Sequence, residues 1–128
     1  MSVIVTDAGF ASDDWTAGFE GEGALDLASD TSIDAIKDAA GAAQMIRIDF
    51  PSFADGRGFT LARLLRLNGY KGRLRAKGHV IADQYAMARR SGFDEVEISD
   101  ELAARQPADQ WQFRANWQEN DYQARMRG

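Results

Sequence analysis

Two glycine-containing loops carry the residue types best suited to hold an anion. The first, PSFADGRGFT at residues 51–60, places Arg57 between two glycines. Glycine lets the backbone turn so that amide N–H groups are exposed, and the helix that follows adds a partial positive charge. We predict that Gly56, Arg57 and Gly58 bind sulfate, phosphate or a carboxylate. A tight turn in which Arg57 pairs with Asp55 explains the same residues equally well.

The second loop, GHVIADQ at residues 78–84, contains groups that could orient a ligand or exchange protons. Lys77 stands directly before it, and His79 has an ordinary pKa near ~6.5. Asp83 and Gln84 fall at the start of a predicted helix. We predict ligand binding by Lys77, His79 and Gln84. A lone loop histidine and a polar first helical turn are also typical of structural roles.

Four further arginines form a candidate docking face for an acidic partner. Arg63 and Arg66 lie about one turn apart on a predicted helix. Arg73 and Arg75 alternate along a predicted strand and therefore point to one side of it. These side chains could equally be solvated charges that cover an open sheet.

Charge is strongly segregated along this chain of 128 residues, whose net charge is −5. Residues 1–49 hold 10 acids and 2 bases (−8), residues 50–91 hold 9 bases and 2 acids (+7), and residues 92–128 hold 8 acids and 4 bases (−4). A basic centre between acidic flanks favours an anionic ligand or partner, and pairing with those flanks in the fold explains it as well. The low isoelectric point, near 4.8, argues against nucleic-acid binding.

The chain has no cysteine and one histidine. This excludes disulfides, thiolate catalysis, thiolate zinc sites and iron–sulfur ligation by the chain itself. We expect neither a metal nor a cofactor. No apolar run approaches the ~18–20 residues that span a bilayer, and the N-terminus lacks the features of a signal peptide. We therefore expect a cytoplasmic protein that does not contact membranes.

Glycine marks the points where predicted helices lead into predicted strands. A left-handed residue that ends a helix is predicted at Gly41, Gly69 and Gly92. Thr31 with Asp34 resembles a capping box at the start of one helix, and Ser99 is placed to cap another. The predicted strands are Ala24–Ala28, Met45–Phe50, Arg73–Lys77 and Glu95–Ser99, with an additional one at Val3–Thr6.

This alternation predicts a small single α/β domain over residues 1–128, built from consecutive βα units around a parallel sheet. Four such units equal half of an eight-stranded barrel, so the sheet is either open or a half-barrel that pairs, as in a homodimer. Charged side chains within the strands predict that one sheet face is not fully covered by helices. They are Arg47, Arg73, Arg75, Glu95 and Glu97.

Residues 107–128 depart from this pattern and are predicted to form an aromatic C-terminal arm. Pro107 ends the preceding helix, and large aromatic side chains then alternate as on a strand. The alternating residues are Trp111, Phe113, Ala115 and Trp117. Such an arm packs on its own domain or on a partner.

The phrases FPSFADGRGFTLARLLR, GYKGRLRAKGHVIADQ and RRSGFDEVEI resemble a bacterial family, domain of unknown function 934, over about residues 45–98. The pair Tyr122–Gln123 resembles that family's C-terminal mark. The resemblance implies a link to assimilatory sulfite or nitrite reduction, and the family is described as an oxidoreductase of sulfite reduction. Family members commonly have an acid where His79 stands and a cysteine where Ser91 stands. A family-wide role for the histidine, or for a thiol, is therefore not expected.

Two functions follow from these observations. The first is an accessory or anion-binding protein of sulfite or nitrite reduction, which acts through loops 52–60 and 78–84 and contacts a reductase-type partner. The alternative is a small enzyme in which Arg57 binds an anionic substrate and Asp55 and Asp83 are the catalytic proton-transfer groups. The sequence leaves open whether the protein is an enzyme.

Overall fold

A computed structural model describes residues 2–15, 23–39, 41 and 44–112. The strands are β1 (Ser2–Thr6), β2 (Gly9–Ala11), β3 (Ala24–Leu27), β4 (Met45–Phe50), β5 (Arg73–Gly78) and β6 (Glu95–Ser99). The helices are α1 (Ile33–Ala39), α2 (Arg57–Leu67), α3 (Tyr85–Ser91), α4 (Asp100–Arg105) and α5 (Ala108–Gln112). A single 3₁₀ turn, Ala82–Gln84, precedes α3.

The strands form one open sheet in the order β2-β1-β6-β5-β4-β3. Strands β3 to β6 are parallel neighbours in chain order, which confirms the predicted βα units. The sheet is not wholly parallel, because β1 pairs antiparallel with β6, and β2 pairs antiparallel with β1. Strand β2 was not predicted, since it has only 3 residues and follows a tight turn that ends at Gly9, where φ is 111°.

One face of the sheet packs against the helices. Parallel strands joined in chain order by right-handed crossovers place successive helices on the same side. The side chains of Ile48, Leu74 and Val96 point to that side and belong to one buried cluster. All five helices contribute to this cluster, through Ile36, Leu65, Ala88, Leu102 and Trp111. No helix in the described part of the chain is long and apolar enough to cross a membrane.

Phe50, the last residue of β4, packs against Phe59 in α2 and against Phe93 in the loop after α3. Its ring centroid lies 4.9 Å from that of Phe59 and 5.8 Å from that of Phe93. A Cβ atom at Gly58 would lie only 2.4 Å from the Phe50 ring. The close approach of α2 to β4 therefore requires glycine at this position.

Two of the three predicted left-handed glycines are confirmed. Gly69 and Gly92 have φ values of 92° and 116°, whereas Gly41 does not have a positive φ and is a correction. Ser99 caps α4 as predicted, because its hydroxyl accepts a hydrogen bond from Leu102 N at 3.1 Å.

The predicted capping box at the start of α1 is wrong by one residue. Ser32 Oγ, rather than the side chain of Thr31, accepts the hydrogen bond from Ala35 N at 3.2 Å. The Thr31 hydroxyl instead donates to Ala28 O at 2.6 Å. It therefore closes the turn before the helix.

The start of the predicted C-terminal arm is helical. Trp111 lies in α5, where its side chain is fully buried and its Nε1 donates to Gln106 O at 2.9 Å. Its ring meets Tyr85 edge-on at 6.1 Å. The strand-like pattern predicted at Trp111 is therefore wrong, and its side chain packs on its own domain. The rest of the arm lies outside the described residues.

The other sheet face carries a network of ion pairs centred on Arg75, whose side chain is fully buried. Its Nε donates to Glu95 at 2.6 Å, its Nη1 to Glu97 at 2.8 Å and its Nη2 to Asp13 at 3.0 Å. Arg47 forms ion pairs with Glu97 at 3.1 Å and with Asp26 of the edge strand β3 at 2.6 Å. This confirms that helices in the described ranges leave the charged face uncovered.

We predict that Arg75→Met destabilises the fold by about 3 kcal/mol, because removing one partner of a buried ion pair leaves carboxylates without compensation. Arg47 and Arg73 still contact those carboxylates, which keeps the loss at the lower end of the usual range. Urea unfolding followed by circular dichroism measures it. The control, Arg63→Met on an exposed helix position, should change stability by no more than about 0.5 kcal/mol. Equal stabilities for the two variants would contradict the prediction.

We also predict that Gly58→Ala costs about 1–3 kcal/mol, because the added methyl group overlaps the Phe50 ring. The matched control is Gly56→Ala, where the nearest atom to an added Cβ is 3.9 Å away. Thermal unfolding of both variants gives the comparison. A control that loses as much stability as Gly58→Ala would show that the contact with Phe50 is not the cause.

Candidate functional site

The carboxyl ends of the parallel strands bring together the loops that the sequence singled out. In open α/β sheets, ligands bind outside these strand ends. Residues 51–56 follow β4, and residues 79–84 follow β5. The two loops touch, because Gln84 Nε2 donates to Phe53 O at 3.0 Å.

Arg57 is already paired within its own loop. Its Nε and Nη2 donate to the two carboxylate oxygens of Asp55 at 3.0 Å and 2.8 Å. Nη2 also donates to Ser29 Oγ at 3.1 Å, which connects this loop to the loop after β3. The structure therefore has the tight turn in which Arg57 pairs with Asp55. The protein's own carboxylate lies where the anion was predicted to bind.

Asp55 also accepts a hydrogen bond from the backbone N–H of Arg57 at 3.1 Å, at the first residue of α2. The side-chain hydrogen bonds from Arg57 are the main cause that lowers the pKa of this carboxyl well below its usual range. Asp55 is consequently ionised at neutral pH and is a weak base. This arrangement does not suit the catalytic proton transfer predicted for it.

The glycines beside Arg57 serve the fold. Gly58 is buried under the Phe50 ring, and Gly56 has φ −91°, a conformation open to any residue. Neither position uses a glycine-specific conformation to present amides to a ligand. The ligand-binding roles of Gly56 and Gly58 stay predictions without support from these conformations.

Gln84 and Asp83 begin the connection into α3. Gln84 Oε1 accepts from Ile81 N at 3.1 Å while its amide nitrogen binds Phe53 O. The side chain thus closes two loops, and its ligand role stays a prediction. Asp83 is exposed, and its proton-transfer role also stays a prediction.

His79 lies on the rim of a cleft of about 250 Å³. Its backbone N–H donates to Phe50 O at 3.0 Å, and its Nδ1 lies 3.2 Å from the same oxygen. Because a carbonyl oxygen only accepts, Nδ1 must carry a proton, which leaves Nε2 for other partners. The cleft is lined by Phe53, Gly78, His79, Ser99, Glu101, Leu102 and Arg105.

Three of the four predicted docking arginines bind inside the protein. Arg66 donates to the carbonyls of Tyr70, Gly72 and Gly92 at 2.7–3.1 Å. Arg73 pairs with Glu95 at 2.6 Å, and Arg75 is buried. These guanidiniums stabilise strand connections and the charged face. Fully buried Arg75 cannot contact a partner, whereas docking by Arg66 and Arg73 stays a prediction. Arg63 alone of the four is exposed.

Lys77 and Asp49 form the remaining candidate site, at the carboxyl end of the charged face. They are direct partners in the parallel register of β5 and β4 and line a cleft of about 260 Å³ with Asp26, Leu27 and Ala28. Within the described ranges, neither side chain makes an ion pair or hydrogen bond. In the same ranges, no three His, Asp or Glu side chains converge as metal ligands would.

Asp49 was missed by the sequence reasoning, although a signal was present. It stands two residues after Arg47 in the same strand. Strand alternation therefore places it on the charged face. Its position beside Lys77 could not be predicted, because this position depends on the register between two strands joined by a helix.

We predict a pH dependence from the Asp55–Arg57 pair. Since the folded pKa of Asp55 lies below the unfolded value of about 3.9, the pair stabilises the fold above that value and loses its effect as the pH falls further. Asp55→Asn should therefore lower the free energy of unfolding at neutral pH, and its difference from the parent protein should shrink below about pH 4. Urea unfolding across this range tests it, with Asp38→Asn on exposed α1 as control. A difference that is constant with pH would contradict the assignment.

A comparison with protein families gives one match. The model of a bacterial protein of unknown function, DUF934, matches residues 24–128. No curated protein and no solved structure matches the chain. The matched range contains the four parallel strands, both strand-end loops, Lys77 and Asp49, and omits the N-terminal hairpin. The chain therefore belongs to the DUF934 family of bacterial proteins.

Proposed function

We propose that this chain is a cytoplasmic accessory protein of assimilatory sulfite or nitrite reduction that binds a small anion at Lys77. The single observation that supports this most is the state of Lys77. It is a half-buried ammonium in a strand-end cleft, and it forms no ion pair with the described residues.

The other cations near these strand ends are less suited to an external anion. Arg57 pairs with Asp55 at 2.8 Å, and Arg105 pairs with Glu101 at 3.1 Å. An anion at either guanidinium would have to compete with a carboxylate of the protein. At Lys77 no such competitor needs to be displaced.

The link to sulfite or nitrite reduction is supported by the resemblance of the central motifs and not by geometry. The chain has no cysteine and one histidine, so it has no thiolates with which to bind an iron–sulfur cluster. Binding of the anion, or of a reductase-type partner, fits these residues better than electron transfer by the chain alone. Exposed Arg63 is a residue of the predicted docking face that can contact such a partner.

The geometry supports the binding function better than the alternative, a small enzyme with Arg57 as anion binder and Asp55 and Asp83 as proton-transfer groups. Arg57 and Asp55 are already paired with each other at 2.8 Å.

Lys77→Met should weaken the binding of sulfite or nitrite at least tenfold, because a hydrogen bond to a charged group contributes about 1.5–3 kcal/mol and 1.4 kcal/mol corresponds to tenfold. Isothermal titration calorimetry of the purified chain measures this. Lys71→Met is the matched control, since Lys71 is exposed in the connection before β5, at the opposite strand end. The proposal fails if the parent protein binds neither anion, or if Lys77→Met binds as the parent does.

The same variant tests the biological assignment. A deletion strain should grow poorly with sulfate or nitrate as the nutrient source, and the parent gene should restore growth where Lys77→Met does not. Normal growth of the deletion strain would remove sulfite and nitrite reduction from the proposal.

A further inference from the structure

We infer that the cleft at Lys77 is specific for a small zwitterion, a molecule with one acidic group and one ammonium, and that Asp49 binds the ammonium. This rests on the proposed function for the role of Lys77. It goes further by naming the class of ligand and a second binding residue.

The register of the sheet places two charges of opposite sign side by side, and neither forms an ion pair with the described residues. Asp49 and Lys77 are partners between β4 and β5, just as Arg47 and Arg75 are partners two residues earlier along the same strands. The two arginines are held in ion pairs with carboxylates. The paired charges along β4 and β5 thus end just before Asp49 and Lys77. A ligand that carries both charges would pair with these two residues as the carboxylates pair with the arginines.

The surroundings of Lys77 favour an anion that also carries a positive group. Asp49 is its partner on one side, and Glu97, already shared by two arginines, is its partner on the other. Asp26 also lines the cleft. An anion that approaches Lys77 therefore also approaches carboxylates, and a positive group on the same ligand would offset their repulsion.

Among these carboxylates, Asp49 is the one free to accept an ammonium. Both oxygens of Asp26 accept from Arg47, at 3.1 Å and 2.6 Å. Asp49 is exposed and has no such donor among the described side chains. Asp49 repels a simple anion at Lys77, but it would attract a ligand whose ammonium lies beside it.

The cleft is open to solvent, and its volume gives the approximate size of a ligand that would fill it. Its volume of about 260 Å³ equals about eight or nine waters at roughly 30 Å³ each. This suits a molecule of the size of a small amino acid. The shared chemistry is an ammonium and an acid group within one short molecule, and the acid can be a carboxylate, as in an α-amino acid, or a sulfonate, as in an amino sulfonate.

The test compares ligands with and without the ammonium. Calorimetry with L-alanine, taurine, acetate and sulfite is carried out on the parent protein, Asp49→Asn, Lys77→Met and the control Asp38→Asn. We expect the parent protein to bind alanine or taurine at least tenfold more tightly than acetate or sulfite. Asp49→Asn should lose at least tenfold for the zwitterions and bind acetate and sulfite as well as the parent does, or better. Whichever of alanine and taurine binds more tightly identifies the acid group.

The outcomes separate the inference from the proposed function. If the parent binds sulfite as tightly as taurine, or if Asp49→Asn keeps its affinity for the zwitterions, the inference is wrong and anion binding at Lys77 stands. If Lys77→Met retains all binding, the site itself is wrong. Backbone NMR shifts of residues 48–50 and 76–78 on addition of ligand provide a second measurement that does not depend on the variants. Shifts confined to other regions would also overturn the inference.

Discussion

The guanidinium of Arg75 is buried in the molecule, and its side chain is fully excluded from solvent. Because a guanidinium cannot lose its proton in a protein, its burial requires carboxylates. Glu95 and Glu97 of the next strand supply two of them, and Asp13, 62 residues earlier in the chain, supplies a third. These bonds hold the segment after the N-terminal hairpin against the parallel sheet. Without them the charged face would have no means of covering its central charge.

This constraint arises from the connectivity of the sheet. Strands added in chain order place all their helices on one side, and the buried cluster lies there. Among the described residues, the opposite side is covered by charged side chains and by the segment that carries Asp13. Ion pairs satisfy the requirement that buried polar groups find partners, and no buried side-chain polar atom among the described residues lacks one. The same face reaches the strand ends, so the network that stabilises the fold also borders the cleft at Lys77.

Local patterns in the sequence were sufficient to predict the parallel strands, the glycines at the ends of α2 and α3, and the uncovered charged face. Each depends on residues close together in the chain. The partners of the arginines could not be predicted, because Arg75 meets Asp13 and Arg66 meets Gly92 only after strands and helices have packed. Arg57 is a different case, because its partner Asp55 is only two residues away in the chain. Its pairing with Asp55 was an equal alternative to binding an anion, and only the geometry of the turn decides between them.

Lys77 and Asp49 form no ion pair with the described residues, and this costs the fold far less free energy than a buried unpaired charge would. Lys77 is half-buried and Asp49 is exposed, so water solvates both and the fold loses little by leaving them apart. A buried pair such as Arg75 and Glu95 cannot exchange partners without a large cost in desolvation. Two solvated charges on adjacent rigid strands can do so, because a ligand displaces only water. A binding site for a charged molecule is therefore expected where the ion-pair network reaches solvent, and the register of β4 and β5 places that point at Asp49 and Lys77.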